Sequence, residues 1–178
     1  MSRAYSDVTL VSPQRAWSAR FAETASELQA VFRHATIEHI GSTSVPGLSS
    51  KDTIDVAVGV LSAVDALDRE TLAALQGRGF EFVPSFEGDP DHAFLHRIVG
   101  DQRTDHVHVV TLGGDAWGGY LLFRDYLRAT SDAVRQYEAA KRDLAVRFAK
   151  HRDAYVREKQ PIVEALMVEA RAWQRTSR

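Results

Sequence analysis

Cysteine is absent from the chain, which rules out disulfides, thiolate nucleophiles and cysteine-bound zinc. No apolar run approaches the roughly 18–20 residues that a membrane-spanning helix needs. The N-terminus carries Arg3 but no apolar stretch of the kind a signal peptide requires, so the cytoplasm is the expected location. Charge of one sign is lacking too: the net charge is −2, so no global basic field draws in nucleic acid or a membrane, although a local basic groove is compatible with it. Internal repeats, low-complexity tracts and linker-like stretches are also missing.

What remains is an ordinary globular composition, with 44% hydrophobic and 26% charged residues in 178. That length suits one domain with a sizeable core. The pattern predicts a single α/β (α+β) unit over residues 1–178, with a sheet-bearing part at about 10–114 and a helical part at about 115–176.

Ser12-Pro13 reads as a helix start, a serine N-cap with proline in the first turn, followed by Trp17, Phe21, Leu28, Val31 and Phe32 at helical spacing. The helix is expected over 13–33. Thr36–Ile40 is a short strand, and Thr43–Lys51 an ordered loop. Ile54–Val60 alternates: Ile54, Val56, Val58 and Val60 share one face, Asp55, Ala57 and Gly59 the other. Val64, Leu67, Leu72 and Leu75 predict a helix ended by Gly77 and Gly79. Strands are expected at Phe80–Val83 and Ala93–Ile98, around a loop with Pro84, Gly88, Asp89 and Pro90. A further strand, His106–Leu112, ends at Gly113-Gly114. Three helices follow, the last bent or restarted at Pro161.

A Gly-Ser pair after a strand offers a flexible backbone, N–H groups and a hydroxyl, which suits a phosphate. Gly41, Ser42 and Thr43 are therefore candidate phosphate-binding residues, and Lys51 adds a candidate cation. A purely structural turn with Ser42 and Thr43 as caps is the alternative. Arg97 and Arg103 flank the His106 strand as further candidate phosphate contacts. Tyr137/Lys141 and Tyr155/Lys159 each lie four apart, so each pair shares a helix face. Facing a cleft, such a pair would stack a base and hold a phosphate; the other reading is a core-edge aromatic beside a snorkelling lysine.

Residues His39-Ile40-Gly41-Ser42-Thr43-Ser44-Val45-Pro46-Gly47-Leu48, then Ser50-Lys51 and Ile54-Asp55-Val56, closely resemble the signature of the GrpB family. Arg103 with His106-Val107-His108-Val109, the segment Phe123-Arg124-Asp125-Tyr126-Leu127-Arg128, and the two Tyr/Lys pairs resemble the same family. The resemblance covers roughly residues 10–170. It implies a nucleotidyltransferase-like mixed sheet packed with helices, related to that of DNA polymerase β. It also implies a nucleoside triphosphate as a candidate substrate and a small-molecule acceptor.

Nucleotidyl transfer needs metal ions to neutralise phosphates and activate the attacking oxygen. Such enzymes supply Asp-x-Asp or Asp-x-Glu on one strand and a third carboxylate on its neighbour. Here Asp55 takes the first position, but Ala57 takes the second, and His106 and His108 stand where the third is expected. Alternation brings both imidazoles to the Asp55 face. Asp55, His106 and His108 are thus candidate catalytic residues and a candidate two-histidine, one-carboxylate set for Mg²⁺, Mn²⁺ or Zn²⁺. Two other readings stand beside it: His108 donates to Asp55 as a buried pair, or both imidazoles contact ligand phosphates. His39 is either a site or a structural residue, while His34, His92, His96 and His151 read as solvated or paired. The sequence therefore points to a nucleotide-binding transferase, with two alternatives: a ligand-binding or regulatory module with a degenerate site, and a His/Asp metal-dependent phosphoester hydrolase.

Overall fold

The computed structural model describes residues 7–84 and 91–177; Arg3, Gly88, Asp89 and Pro90 lie outside the described residues. The elements run α1 (Ala16–Val31), β1 (Thr36–Ile40), β2 (Ile54–Val60), α2 (Arg69–Gln76), β3 (Phe80–Phe82), β4 (His92–Val99), β5 (Gln102–Thr111), α3 (Asp115–Ala129), α4 (Ser131–Arg147) and α5 (Arg152–Thr176). The strands form one mixed sheet in the order β1-β2-β5-β4-β3. Only β2 and β5 are parallel; the other neighbours pair antiparallel.

Alternation along β2 and β5 gives the sheet two unlike faces. Ile54, Val56 and Val58 point with Val107, Val109 and Leu95 into the main core, against Trp17 and Leu28 of α1 and Leu75 of α2. Each fully buried leucine or isoleucine there contributes about 1.5–3 kcal/mol relative to exposure. Asp105 shares this face. Its carboxylate is satisfied by Arg97 (2.8 Å), Thr24 (2.7 Å) and Thr104 (2.7 Å). Arg97 therefore bridges Asp105 to Glu27.

The opposite face is divided. At one end Trp117 of α3 packs over Ala57 and Val110. At the other end α4 and α5 stand off from Asp55, His106 and His108 and leave a cavity. The three C-terminal helices share their own core of Tyr126, Leu127, Ala133, Tyr137, Leu166 and Ala170, and Val45 and Leu48 of the β1–β2 connection plug into it. That connection is thereby fixed to both halves of the molecule.

Several boundaries differ from the sequence expectation. Helix α1 starts at Ala16 with Arg15 in the N-cap position, not at Ser12-Pro13. Val11 pairs with Ser50 through two backbone hydrogen bonds of 2.8 and 3.1 Å, which hold this part of the chain extended. Helix α2 starts at Arg69, after Asp68 caps the Thr71 N–H at 2.7 Å, so Val64 and Leu67 precede it. Strand β5 begins four residues earlier than expected, since Gln102–Asp105 pair with β4 in a hairpin through Gly100. Helix α5 runs without interruption through Pro161, because its packing against α3 and α4 outweighs the one hydrogen bond that proline removes.

Candidate functional site

Parallel pairing of β2 with β5 sets Asp55 directly across from His106. Their side chains meet, His106 Nδ1 lying 2.9 Å from Asp55 Oδ1. Burial works against the Asp55 charge, but the His106 hydrogen bond, followed by the positive charge of neighbours that include Lys51, prevails and holds the carboxyl at about 2. An ionised carboxylate only accepts hydrogen bonds, so Nδ1 of His106 carries the proton. Burial also lowers the His106 pKa, with Asp55 opposing and Lys51 and Arg103 reinforcing, so the ring is neutral at pH 7. Its Nε2 then presents a lone pair. That atom is buried and has no hydrogen-bond partner among the described residues. Beside a carboxylate the histidine still falls rather than rises, because desolvation exceeds the attraction of Asp55.

His108 does not reach Asp55 by a hydrogen bond. Its Nδ1 lies 2.9 Å from His92 Nε2 and 3.0 Å from the Tyr120 hydroxyl. Burial brings its pKa down to about 3, so it too is neutral. Of the two readings, solvated or paired, His92 is the paired one; its register opposite Val110, two residues beyond His108, brings it into this cluster. Among the described residues no three His, Asp or Glu side chains form a group able to hold a metal ion. Asp55 is the one carboxylate of the His106 pair, and the Ala57 position where a second is expected is sealed beneath Trp117. As arranged, the donors do not fit the metal set expected from the sequence.

The backbone at Gly41 follows from this. Gly41 has φ +68° and lies against the Asp55 carboxylate. The turn Ser42–Ser44 follows, braced by Ser44 Oγ donating to the Gly41 carbonyl at 2.7 Å. Arg128 of α3 donates twice to the Ser44 carbonyl, at 2.9 and 3.0 Å. Arg124 donates to the His39 carbonyl at 3.1 Å and pairs with Glu38. The Phe123–Arg128 motif therefore clamps the loop from the helical side. Thr43 is buried and lies 3.0 Å from His39 Nε2, while His39 stacks on Phe21. Thr43 and His39 thus meet each other within the loop, and burial brings the His39 pKa to about 4.

A cavity of about 650 Å³ opens over Asp55, His106 and His108 and is lined also by Ser42, Lys51, Arg103, Lys141, Arg152, Arg157 and Lys159. Six of its side chains are cationic and two, Asp55 and Asp153, are carboxylates. Lys141 is almost fully buried, its ammonium donating to the Ser49 carbonyl and lying 3.3 Å from Ser42 Oγ. Burial, against the pull of Glu138 and with the push of Lys159 and Arg142, takes its pKa down to about 7. Burial and the nearby Arg152 and Lys159 likewise take Lys51 to about 8.

Two tyrosines separate these lysines. Lys141 sits 4.9 Å from the Tyr137 ring centre, and Lys51 and Lys159 each sit 5.9 Å from that of Tyr155. Both rings are buried, 3% and 1% exposed, so they hold cations and do not stack a base. Lys141, 2% exposed, does not snorkel to water. His34 and His151 are exposed, and His96 pairs with Glu81.

The profile of the GrpB protein family matches residues 7–169. A UPF0157 protein of Deinococcus radiodurans is 36% identical over 146 residues, covering 81% of this chain and 73% of the relative. The chain spans from about half to about three quarters of the length of the first three curated relatives it matches. The crystal structure of GrpB from Enterococcus faecalis superposes with a TM-score of 0.78 at 29% identity, covering 93% of this chain and 99% of that one. Cid1, an RNA terminal uridylyl transferase, shares the fold at a TM-score of 0.50 and 15% identity, over 71% of this chain and 38% of its own. No helix among the described residues is long and apolar enough to cross a membrane. With a nucleotidyltransferase-like sheet, a clamped Gly41-Ser42 turn and a family profile that runs over nearly its whole length, the chain belongs to the GrpB protein family.

Proposed function

We propose that the cavity between the sheet and the C-terminal helices binds a nucleoside triphosphate or a similarly phosphorylated small ligand, and transfers its nucleotidyl group to a small acceptor. The observation that carries this reading is the convergence of Lys51, Lys141 and Lys159 with Arg103, Arg152 and Arg157 around one cavity of about 650 Å³. Gathering like charges is costly unless anions neutralise them; Asp55 and Asp153 are the two carboxylates in the same lining, and a polyphosphate supplies further negative charge. Ser42 and Lys141 would contact one phosphate, with Lys51 and Lys159 on the others. Asp55 fixes the His106 tautomer, which leaves Nε2 as the ring nitrogen able to accept a proton. Related folds supply Lewis-acid chemistry with a metal; in this chain no step is assigned to one, since the donors do not gather for it.

Ala57 favours a second reading, a ligand-binding module that keeps the phosphate site without transfer. Trp117 covers the position of the missing carboxylate, so the fold has closed over it. One experiment separates the two. Purified protein is screened by mass spectrometry for a co-purifying nucleotide, then incubated with α-labelled triphosphates and a pool of small-molecule acceptors, following label transfer in a single turnover. Binding with transfer supports the first reading, and binding alone the second. Failure of every phosphorylated ligand to bind removes both.

A further inference from the structure

Ser42 carries the one hydroxyl of its turn that the loop itself does not use. Thr43 meets His39 at 3.0 Å, and Ser44 donates to the Gly41 carbonyl at 2.7 Å. Ser42 is half-buried and lines the cavity, and its hydroxyl has one hydrogen-bonding contact among the described residues, Lys141 Nζ at 3.3 Å. Lys141 lines the same cavity from α4.

The surroundings of Lys141 favour an amine over an ammonium. The residue is 2% exposed, and its nitrogen donates to the Ser49 carbonyl. The carboxylate of Glu138, on the same helix, stays 3.9 Å away and is already engaged by the Ser49 N–H at 3.0 Å and by Arg142 at 2.7 Å. Burial is the largest influence and brings the group to about 7, with Glu138 and the Asp55 of β2 opposing and the Lys159 of α5 and Arg142 of α4 reinforcing. Lys159 behaves differently: Tyr137 first, and then Tyr155 and Asp55, hold it above the ordinary lysine value against burial. One lysine of the cavity is thus able to give up its proton near neutral pH while its neighbour stays cationic.

We infer that Ser42 is a nucleophile activated by Lys141, and that the pair takes the group transferred from a phosphoric anhydride as a serine ester before it reaches the acceptor. This rests on the phosphate-binding reading of the same cavity. A neutral amine placed here turns an N–H toward the Ser49 carbonyl and keeps its lone pair for the Ser42 hydroxyl. Withdrawing that proton raises the nucleophilicity of the oxygen, as serine–lysine pairs do in acyl transfer.

In the first step Ser42 Oγ gives its proton to Lys141 Nζ and forms a bond to the α-phosphorus. The bond from that phosphorus to the bridging oxygen breaks, and pyrophosphate leaves with the electron pair, its charge met by Lys51 and Lys159. In the second step the oxygen of an acceptor hydroxyl bonds to the same phosphorus, and Ser42 Oγ leaves with the electron pair of the ester bond. Lys141 returns its proton to Oγ, and the acceptor's proton passes to water. Nothing is oxidised or reduced.

The test uses the full chain and a neutral phosphorus electrophile, diisopropyl fluorophosphate, which reacts with activated serines and needs no anion site. Peptide mass mapping is expected to find the label on Ser42, and to find none at that position in Ser42→Ala. The labelling rate of the unaltered chain is expected to rise about tenfold per pH unit below pH 7 and to level off above it, the direction opposite to anion binding. Lys141→Arg keeps a cation but gives up no proton at these pH values, so it is expected to label about a hundredfold more slowly or worse. In a parallel arm, α-labelled triphosphate is bound in the absence of acceptor, and acid-quenched protein is mapped for a nucleotidyl group on Ser42.

No label on Ser42, a flat pH profile on the unaltered chain, or an undiminished rate in Lys141→Arg overturns the activated serine. Triphosphate binding measured by calorimetry would then leave the reading of the cavity in place. Fluorophosphate labelling and triphosphate binding with no nucleotidyl adduct overturns the ester as an intermediate. Labelling with the expected profile but no binding of any triphosphate overturns the anhydride as the substrate of the pair, together with the phosphate reading of the cavity.

Discussion

Gly41 and Asp55 stand so close that a β-carbon on Gly41 would lie 2.2 Å from Asp55 Oδ2, with Gly41 itself at φ +68°. The turn that would hold phosphate and the carboxylate that orients His106 are thus one mechanical unit. Any side chain at position 41 must displace one of them.

Gly41→Ala is therefore expected to cost about 1–3 kcal/mol of stability from backbone strain, and more if Asp55 cannot shift. Phosphate-ligand affinity should fall at the same time, since Ser42 moves with the turn. Urea denaturation and calorimetry read the two effects; a variant with unchanged affinity would detach the turn from the site.

Asp55→Asn separates orientation from charge. The carboxylate adds negative charge to a cationic cavity, so removing it should leave triphosphate binding intact or somewhat tighter. The amide can still accept from His106 but stabilises no imidazolium, so transfer should fall by roughly two to four orders of magnitude. Binding and label transfer are measured on the same preparation, with and without Mg²⁺. Loss of affinity confined to the Mg²⁺ arm would mean that a metal, not the lysines, joins Asp55 to the phosphates.

Anion affinity should depend on pH in a definite direction. Lys141 at about 7 and Lys51 at about 8 are charged below those values and lose their protons above them. Sulfate is a suitable probe, because its own charge is constant here. Its affinity is expected to be highest near pH 6 and to drop roughly ten- to a thousandfold by pH 9. Binding at pH 7–8 should take up protons, visible as a buffer-dependent heat. A flat profile would remove these two lysines from the anion site.

The same groups set a stability trend of opposite sign. Their folded pKa values lie below the ordinary 10.5 of lysine, so between about 7 and 10.5 the unfolded chain binds more protons than the folded one. The unliganded protein should become more stable as pH rises through that window, other groups being equal. Replacing the buried Lys141 by Met should raise the thermal midpoint at pH 6 more than at pH 9, while weakening anion binding at both. Equal shifts at the two pH values would show that Lys141 is not desolvated as the fold implies.

Pro161 lies on the exposed side of the unbroken α5, where it removes the hydrogen bond to the Arg157 carbonyl. Pro161→Ala is expected to stabilise the protein by about 1–3 kcal/mol and to leave ligand affinity unchanged. Chemical denaturation checks the first part and calorimetry the second. A destabilised variant would mean that α5 depends on the proline for its packing.

The alternation of Ile54–Val60 and of His106–Val109 is a local property, and it was enough to place Asp55, His106 and His108 on one sheet face. Gly41-Ser42 after a five-residue strand was legible for the same reason, as was the shared helix face of each Tyr/Lys pair. These readings need only the periods of strand and helix. Ser12-Pro13 has all the local features of a cap but does not start α1, because the Val11–Ser50 bridge that keeps this segment extended joins residues far apart in sequence. Strand β5 extends back to Gln102 because β4 lies beside it, which no local signal at Gln102–Asp105 announces.

At the site itself, residue types came from the sequence and partners from the fold. Which histidine bonds Asp55 depends on the parallel register of β2 with β5, a choice that alternation leaves open by two residues. His92 joined the cluster through the antiparallel register of β4. Whether Tyr137 and Tyr155 offer their faces to a ligand or to neighbouring lysines was decided by how deeply α4 and α5 pack. The sequence by itself determined the period of each element and so which side chains share a face. Only the tertiary structure decided which faces meet, how far each charge is desolvated, and that three lysines and three arginines end around one cavity, because register, burial and long-range electrostatics are properties of elements brought together and not of any one of them.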